Sequence, residues 1–341
     1  MFPLKAYLTA VVAVLFLAAC SETPNSPSVI QGNTMGTTYS VRYYDDIGVS
    51  SDELKQEVDI LLVEVNRQMS TYQGRSEISQ FNQQNAPYEQ KISAEFADVV
   101  FLSQQLYEMT GGYFDVTVGP LVNLWGFGPD GRPVNPPSEQ EVQAALEKTG
   151  MDAIKLDKLT LSLSKSAHRY VDLSAIAKGF GVDLVAQLLE AKGAHNYLVE
   201  IGGEIRVSGM KPSQQEWKLA VETPETDAAL GARSVQKILN LTDAGMATSG
   251  DYRNFFEVDG TRYSHTIDPF TGMPSAHSLG SVTVIADTCA RADAIATAML
   301  VMGTEKALAL AKEHNIAAYF IVRTDNGFQE QYSEAWKTRF N

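Results

Sequence analysis

Along this chain the apolar residues change period, from two to 3.6 and back, in an order that no repeated strand–helix–strand unit can generate. Val29 to Tyr44 alternates as a strand pair around Gly32 and Gly36. Asp52 to Met69 instead places Leu54, Val58, Leu61, Leu62, Val65 and Met69 on one helical face. Ser93 opens a second helix that runs to about Thr110 and stops at Gly111-Gly112. A Gly/Pro-rich stretch, Gly119 to Pro137, carries Trp125 and Phe127, and the capping box Ser138-Glu139-Gln140-Glu141 starts a helix ending near Gly150. Strands are expected over Ala153–Leu163 and His168–Leu173, then a helix over Ala175–Lys192. Further strands are expected over Tyr197–Val207, Trp217–Glu222, Gln236–Thr242, Phe255–Ile267 and Val282–Ile285. An Ala-rich helix around Arg291–Met302, a helix over Thr304–His314 and strands Ala317–Val322 and Phe328–Tyr332 complete the pattern. The fold class that follows is α+β: mixed sheets with packed helices, in one large domain of two interlocked lobes over residues 29–341.

Residues 1–19 stand apart from that domain. A short basic start is followed by an apolar run from Ala6 to Ala19, too short for a comfortable permanent span, which reads as a signal peptide. It ends in Leu17-Ala18-Ala19-Cys20, the small-residue pattern before a lipid-modified cysteine in bacterial lipoproteins. The following Ser-, Pro- and Asn-rich segment, residues 20–28 with the cysteine, suits a flexible tether. Acylation of Cys20 would hold the protein on a membrane. With Cys20 so used, Cys289 is the one remaining cysteine, so no intramolecular disulfide is available, and it reads as a small core residue.

The formal charge is −14, and the leader removes one lysine and no acid. Nucleic-acid binding, which needs a basic field, is disfavoured. An acidic protein that takes a phosphorylated ligand must offset the repulsion locally, and a divalent cation does so with few groups. There is no dinucleotide-binding glycine pattern, no Walker-type loop, no His-Glu-x-x-His and no Cys-x-x-Cys; five scattered histidines also speak against zinc.

Three segments could carry chemistry. Asp293 and Thr297 lie four apart on the Ala-rich helix and share a face, giving two hard oxygen ligands of the kind Mg²⁺ accepts while keeping positions for water and phosphate. The bland alternative has Thr297 bonded to its own helix and Asp293 in a solvated ion pair. An unpaired carboxylate among alanines would be costly to bury, which favours the cation. Tyr170-Val171-Asp172-Leu173-Ser174-Ala175-Ile176-Ala177-Lys178-Gly179 runs from a strand end into a helix start, where free N–H groups favour anions and Lys178 could add charge. A simple cap by Asp172 or Ser174, with Lys178 in solvent, is equally compatible with the motif. Ser264-His265-Thr266-Ile267-Asp268-Pro269-Phe270-Thr271-Gly272 pairs a strong turn signal with a histidine suited to general-base work; structural hydrogen bonding is the commoner use of such a residue.

These segments occur in order with Asn33-Thr34-Met35-Gly36-Thr37, Ser70-Thr71-Tyr72 and the run from Gly111 through Tyr113-Phe114-Asp115 to Trp125 and Gly128. Taken together they resemble the ApbE family of FAD:protein FMN transferases over nearly the whole chain after the tether. The resemblance implies an α+β fold and an enzyme that transfers FMN from FAD to a threonine, releasing AMP. It implies that Met35, Tyr72, Tyr113, Phe114, Asp115, Asp172, Lys178 and Ile267 line the FAD site. It further implies Mg²⁺ held by Asp293, Thr297 and the Ala175 carbonyl, with His265 as a plausible base. The acceptors it implies are membrane subunits of the sodium-pumping NADH:quinone reductase or Rnf type, met at the periplasmic face of the inner membrane. A Mg²⁺-dependent FAD pyrophosphatase and a non-enzymatic FAD-binding lipoprotein remain open at this level.

Overall fold

The structure, a computed structural model, describes residues 26–224, 235–252 and 254–340; the leader, Cys20 and the start of the tether lie outside them. A first hairpin, β1 (Ser28–Thr34) and β2 (Thr37–Tyr43), leads into α1 (Ser51–Met69), α2 (Glu77–Gln83), β3 (Tyr88–Lys91) and α3 (Ala94–Met109). Next come α4 (Gly119–Leu124), α5 (Glu139–Leu146), the hairpin β4 (Ile154–Asp157) and β5 (Ser162–Lys165), and α6 (Ala177–Ala191). The chain continues through β6 (Tyr197–Ile201), β7 (Glu204–Ser208), β8 (Trp217–Glu222), β9 (Val235–Leu241), β10 (Ala244–Gly250), β11 (Phe255–Val258) and β12 (Thr261–Ser264). It closes with β13 (Leu279–Ala286), α7 (Cys289–Met302), α8 (Thr304–Glu313), β14 (Ala317–Thr324), β15 (Gly327–Tyr332) and α9 (Glu334–Phe340).

An antiparallel sheet of order β1-β2-β6-β7-β10-β13-β14-β15 organises the molecule. Its two faces separate by the two-residue period of the strands. Val282, Val284 and Phe320 enter the main core with α3 and α7, whereas Ile285, Tyr319 and Ile321 pack on the other face with Trp217 and Trp336. Both faces of β13 are therefore covered, and seven of its eight residues are buried. A satellite core of Leu121, Trp125, Val142, Ala145 and Ile267 sits under the Gly/Pro-rich segment.

The mixed α+β architecture agrees with the hydrophobic periods; five local expectations are corrected. His168–Leu173 is irregular, because Asn82 takes both main-chain groups of Val171 (2.8 Å each) in place of a neighbouring strand. The expected strand Tyr197–Val207 is two, turned at Gly202-Gly203, both with positive φ. Phe255–Ile267 likewise folds back as β11 and β12, and Ala153–Leu163 as β4 and β5. The Gly/Pro-rich stretch contains α4, entered through Pro120 in the first turn, where a missing N–H costs nothing.

Candidate functional site

Two glycines let α7 start deep in the protein. A Cβ on Gly179 of α6 would lie 2.5 Å from the Cys289 carbonyl oxygen, and one on Gly245 of β10 would lie 2.5 Å from the Cys289 nitrogen. Only hydrogen fits at either place. Asp183 accepts from the first two N–H groups of α7, Cys289 (2.9 Å) and Ala290 (2.8 Å), and is itself paired with Arg206 at 3.0 Å. One turn on, α7 carries Asp293, 3% exposed, towards the start of α6.

There the Asp293 carboxylate meets a main-chain donor. Asp293 Oδ2 accepts from Gly179 N–H at 3.1 Å. Gly179 is the third residue of α6, so its N–H is one of the donors a helix start leaves free, and the Ala175 carbonyl just before the helix accepts from no N–H among the described residues. A main-chain oxygen without an N–H partner and a buried carboxylate thus meet at the start of the same helix. Thr297, one turn beyond Asp293, shares a hydrogen bond of 3.0 Å with Ser249 at the end of β10 and leaves its own helix carbonyls alone. Asp172 accepts from the Ser174 N–H (2.8 Å) and hydroxyl (2.5 Å), capping the turn that presents Ala175. The anion at the first turn of α6 is therefore a protein carboxylate.

Lys178 is held inside this cluster. Its Nζ lies 2.9 Å from Glu204 Oε1 and 3.9 Å from Asp293 Oδ2. Burial pushes the Asp293 carboxyl up to about 7, against the pull of Lys178 and with Glu204 adding to the rise. Lys178 is held well above its usual range: burial opposes its charge, but Asp293 and Glu204 overcome that cost. Glu204 Oε2 is buried with no hydrogen-bond partner. Around this point stand three buried carboxylates, Asp183, Glu204 and Asp293, and two cations, Lys178 and Arg206, the latter also paired with Glu190 at 3.2 Å, so that with Asp293 ionised the acids outnumber the bases. Among the described residues no group of three or more His, Cys, Asp or Glu could cage a metal, so a cation would rest on Asp293, Thr297 and the Ala175 carbonyl. An oxygen-only set of this kind is what Mg²⁺ takes.

The other residues singled out from the sequence have the following surroundings. Met35, in a left-handed turn (φ 48°) between β1 and β2, packs against α6, and the turn lines a shallow hollow of about 430 Å³. Thr37 from the same turn and Lys178 both crowd the Gly202 position, so the β1–β2 turn, the β6–β7 turn and the start of α6 meet. The ring of Tyr72 is mostly exposed, and its hydroxyl donates to the Phe127 carbonyl at 3.1 Å. Phe127 in turn lies edge-on to His265, ring centres 6.2 Å apart. His265 Nδ1 is 3.0 Å from the Asn254 carbonyl; burial pulls its pKa below the usual value, and the charge of Lys178 adds to this. Tyr113 packs edge-on to Phe270 at 4.8 Å and is hydrogen-bonded by Lys306. Asp115 accepts from the N–H (2.7 Å) and hydroxyl (2.6 Å) of Thr117 and is raised by burial. Phe114 and Ile267 are buried in the core, 3% and 5% exposed.

Four contributors escaped the sequence reading: Glu204, Ser249, Phe270 and Lys306. Of these only Phe270 lies inside a segment picked out above, Ser264–Gly272; Glu204, Ser249 and Lys306 lie outside all three.

The chain is similar to known proteins over most of its length. The model of the ApbE family matches residues 35–320. The FAD:protein FMN transferases of Haemophilus influenzae and Vibrio cholerae are 47% and 46% identical to this chain, covering 97% and 98% of it and 96% and 98% of their own lengths. The structure of the flavin transferase ApbE from Vibrio cholerae superposes with a TM-score of 0.84 at 45% identity, over 93% of this chain and 99% of that one. An ApbE protein from Thermotoga maritima, only 27% identical, still gives 0.81 over 93% of this chain and all of the other. With a family model spanning most of its length and relatives alike from end to end, the chain belongs to the ApbE family.

Proposed function

We propose that this protein is a Mg²⁺-dependent FAD:protein FMN transferase that attaches FMN through a phosphoester bond to a threonine of an acceptor protein. One observation carries the reading: Asp293, buried beside an Ala175 carbonyl that takes no N–H among the described residues, lies where ionised acids outnumber bases. The names of the relatives supply the substrate class, FAD and a protein acceptor.

Asp293, Thr297 and the Ala175 carbonyl would hold the cation. Bound Mg²⁺ would neutralise pyrophosphate oxygens as a Lewis acid. The acceptor Thr Oγ forms a bond to the phosphorus on the riboflavin side. The bond from that phosphorus to the bridging oxygen breaks, and AMP departs with the electron pair. His265, neutral near pH 7 because burial disfavours its charge, takes the hydroxyl proton. Lys178, kept charged by Asp293 and Glu204, offsets the charge on the leaving AMP. Met35, Tyr72, Tyr113, Phe114, Asp115, Asp172 and Ile267 complete the FAD site in this reading.

The anchor on Cys20 would place the enzyme at the periplasmic face of the inner membrane, where subunits of sodium-pumping NADH:quinone reductase or Rnf-type complexes would be its acceptors. Incubation with FAD, Mg²⁺ and such a subunit tests the chemistry by in-gel flavin fluorescence and mass spectrometry. A fluorescent acceptor carrying FMN on threonine supports transfer. Free FMN with an unmodified acceptor would replace it with a pyrophosphatase, and unchanged FAD with a carrier.

A further inference from the structure

His265 receives its orientation from a main-chain carbonyl. The Asn254 oxygen lies 3.1 Å from the His265 N–H and 3.0 Å from its Nδ1. A carbonyl can only accept, so Nδ1 must carry the proton, and in the neutral ring Nε2 is left basic. Three residues earlier, Asp251 is gripped from two sides. Arg323 of β14 donates through both terminal nitrogens to its carboxylate (2.8 and 2.5 Å), and Arg262 of β12 donates to its carbonyl at 2.6 Å. Such two-pronged pairs fix geometry as well as charge. Gly280 makes room for the Arg323 arm: a Cβ there would stand 3.3 Å from the guanidinium carbon, and its carbonyl accepts the Asp251 N–H at 3.3 Å.

We propose that Arg323 and Asp251 are positioning residues for the transfer reaction: by holding the Asn254 carbonyl against Nδ1 they leave His265 Nε2 as the nitrogen that takes the acceptor proton. The inference rests on the reading of His265 as the base, but its tautomer is measured without turnover. The charged groups that face the ring are Lys178 from α6 and Asp251 itself, with Phe127 against one edge.

The test is ¹⁵N NMR of histidine-labelled full-length protein at neutral pH. Five histidines give resolvable ring signals, and the His265 pair is assigned by its loss in His265→Gln. The wild-type ring should show a protonated Nδ1 and a bare Nε2. In Asp251→Ala and Arg323→Ala the ring should redistribute towards the opposite tautomer. Their kcat should fall about ten- to a hundredfold, part of what a general base contributes, while KM for FAD stays within about twofold. Arg323→Lys, which keeps the charge and loses the two-pronged grip, should fall between. A wild-type ring protonated on Nε2 overturns the proposal, and that spectrum decides even if both alanine variants fail to fold. So does an unchanged tautomer and rate in the two variants. Full activity in His265→Gln would instead sink the base assignment, leaving the tautomer result standing.

Discussion

Replacing Lys178 with methionine should make the stability of this protein depend on Mg²⁺. Lys178 lies 2.9 Å from Glu204 and 3.9 Å from Asp293, whose side chains are 6% and 4% exposed. At an effective dielectric near 20, these separations correspond to gross attractions of about 6 and about 4 kcal/mol. Most of that is cancelled by the desolvation of the three groups. Removing one member of a buried set still leaves charge without compensation and costs roughly 3–5 kcal/mol. Since 31% of the Lys178 side chain touches water, the lower end applies, about 3 kcal/mol. For a chain of this size, with about 2.1 cal/mol/K of unfolding entropy per residue, that is a fall in Tm of about 4–5 °C in chelator. Mg²⁺ should then bind a cluster with one more uncompensated negative charge and raise the Tm of Lys178→Met by more than it raises that of wild type. Asp293→Asn, which removes the ligand, should lose the Mg²⁺-linked rise. Circular dichroism melts in EDTA and in millimolar MgCl₂ decide the matter. Equal Tm values for Lys178→Met and wild type in EDTA, or equal Mg²⁺ increments, would refute the charge argument.

Asp293→Ala should lower FMN transfer by on the order of 100-fold or more while the far-ultraviolet spectrum stays native, as is usual when an electrostatic stabiliser is lost. His265 must be neutral to act, and burial and Lys178 both lower its proton affinity, so the acid limb of kcat/KM should lie below the usual imidazole value of 6.5. In Lys178→Met that limb should move to higher pH, a shift that rate profiles from pH 5 to 8 will resolve. Gly179→Ala drives a methyl to 2.5 Å from the Cys289 carbonyl oxygen, so denaturant titration should show a loss of about 1–3 kcal/mol. Cys20→Ala, expressed with its leader, should leave the membrane fraction; full retention there would remove the lipid anchor from the reading.

The elements that could be read from sequence were those with one strong period or one clear cap. Ser138 and Glu141 form the reciprocal capping box their spacing suggests, and α1 begins with another, Ser50 with Glu53. The central strand β10 carried no such signal. On the face against α7, Gly245, Ala247 and Ser249 are small, and Gly245 admits the Cys289 backbone, while Met246 packs on the opposite face. A strand chosen for closeness to a helix lacks the branched side chains by which strands are usually recognised. The tight reversals at Gly202-Gly203 and at Asp259-Gly260 were hidden for a related reason: unbroken β-like residues on both sides read as one strand.

The site divides along the same line. Asp293 stood out because a carboxylate among alanines is a cost that needs a reason, and burial at 3% exposure makes that cost real. Glu204 did not stand out, because an acid after a glycine turn is ordinary until a lysine from another element lands on it. The negative balance of the whole chain and that of the cluster are separate matters. The first concerns long-range repulsion, weakened within about a Debye length in salt. The second is set among side chains too buried for salt to screen. With Asp293 ionised, the acids around Lys178 and Arg206 outnumber them, and a divalent cation, which also favours the ionised form of Asp293, reverses that balance. A pyrophosphate would then meet attraction only after the metal is in place, so Mg²⁺ should bind before or together with FAD, and FAD affinity should fall steeply in chelator. An equal FAD affinity with and without Mg²⁺, measured by flavin fluorescence quenching on the inactive His265→Gln variant, would contradict that order.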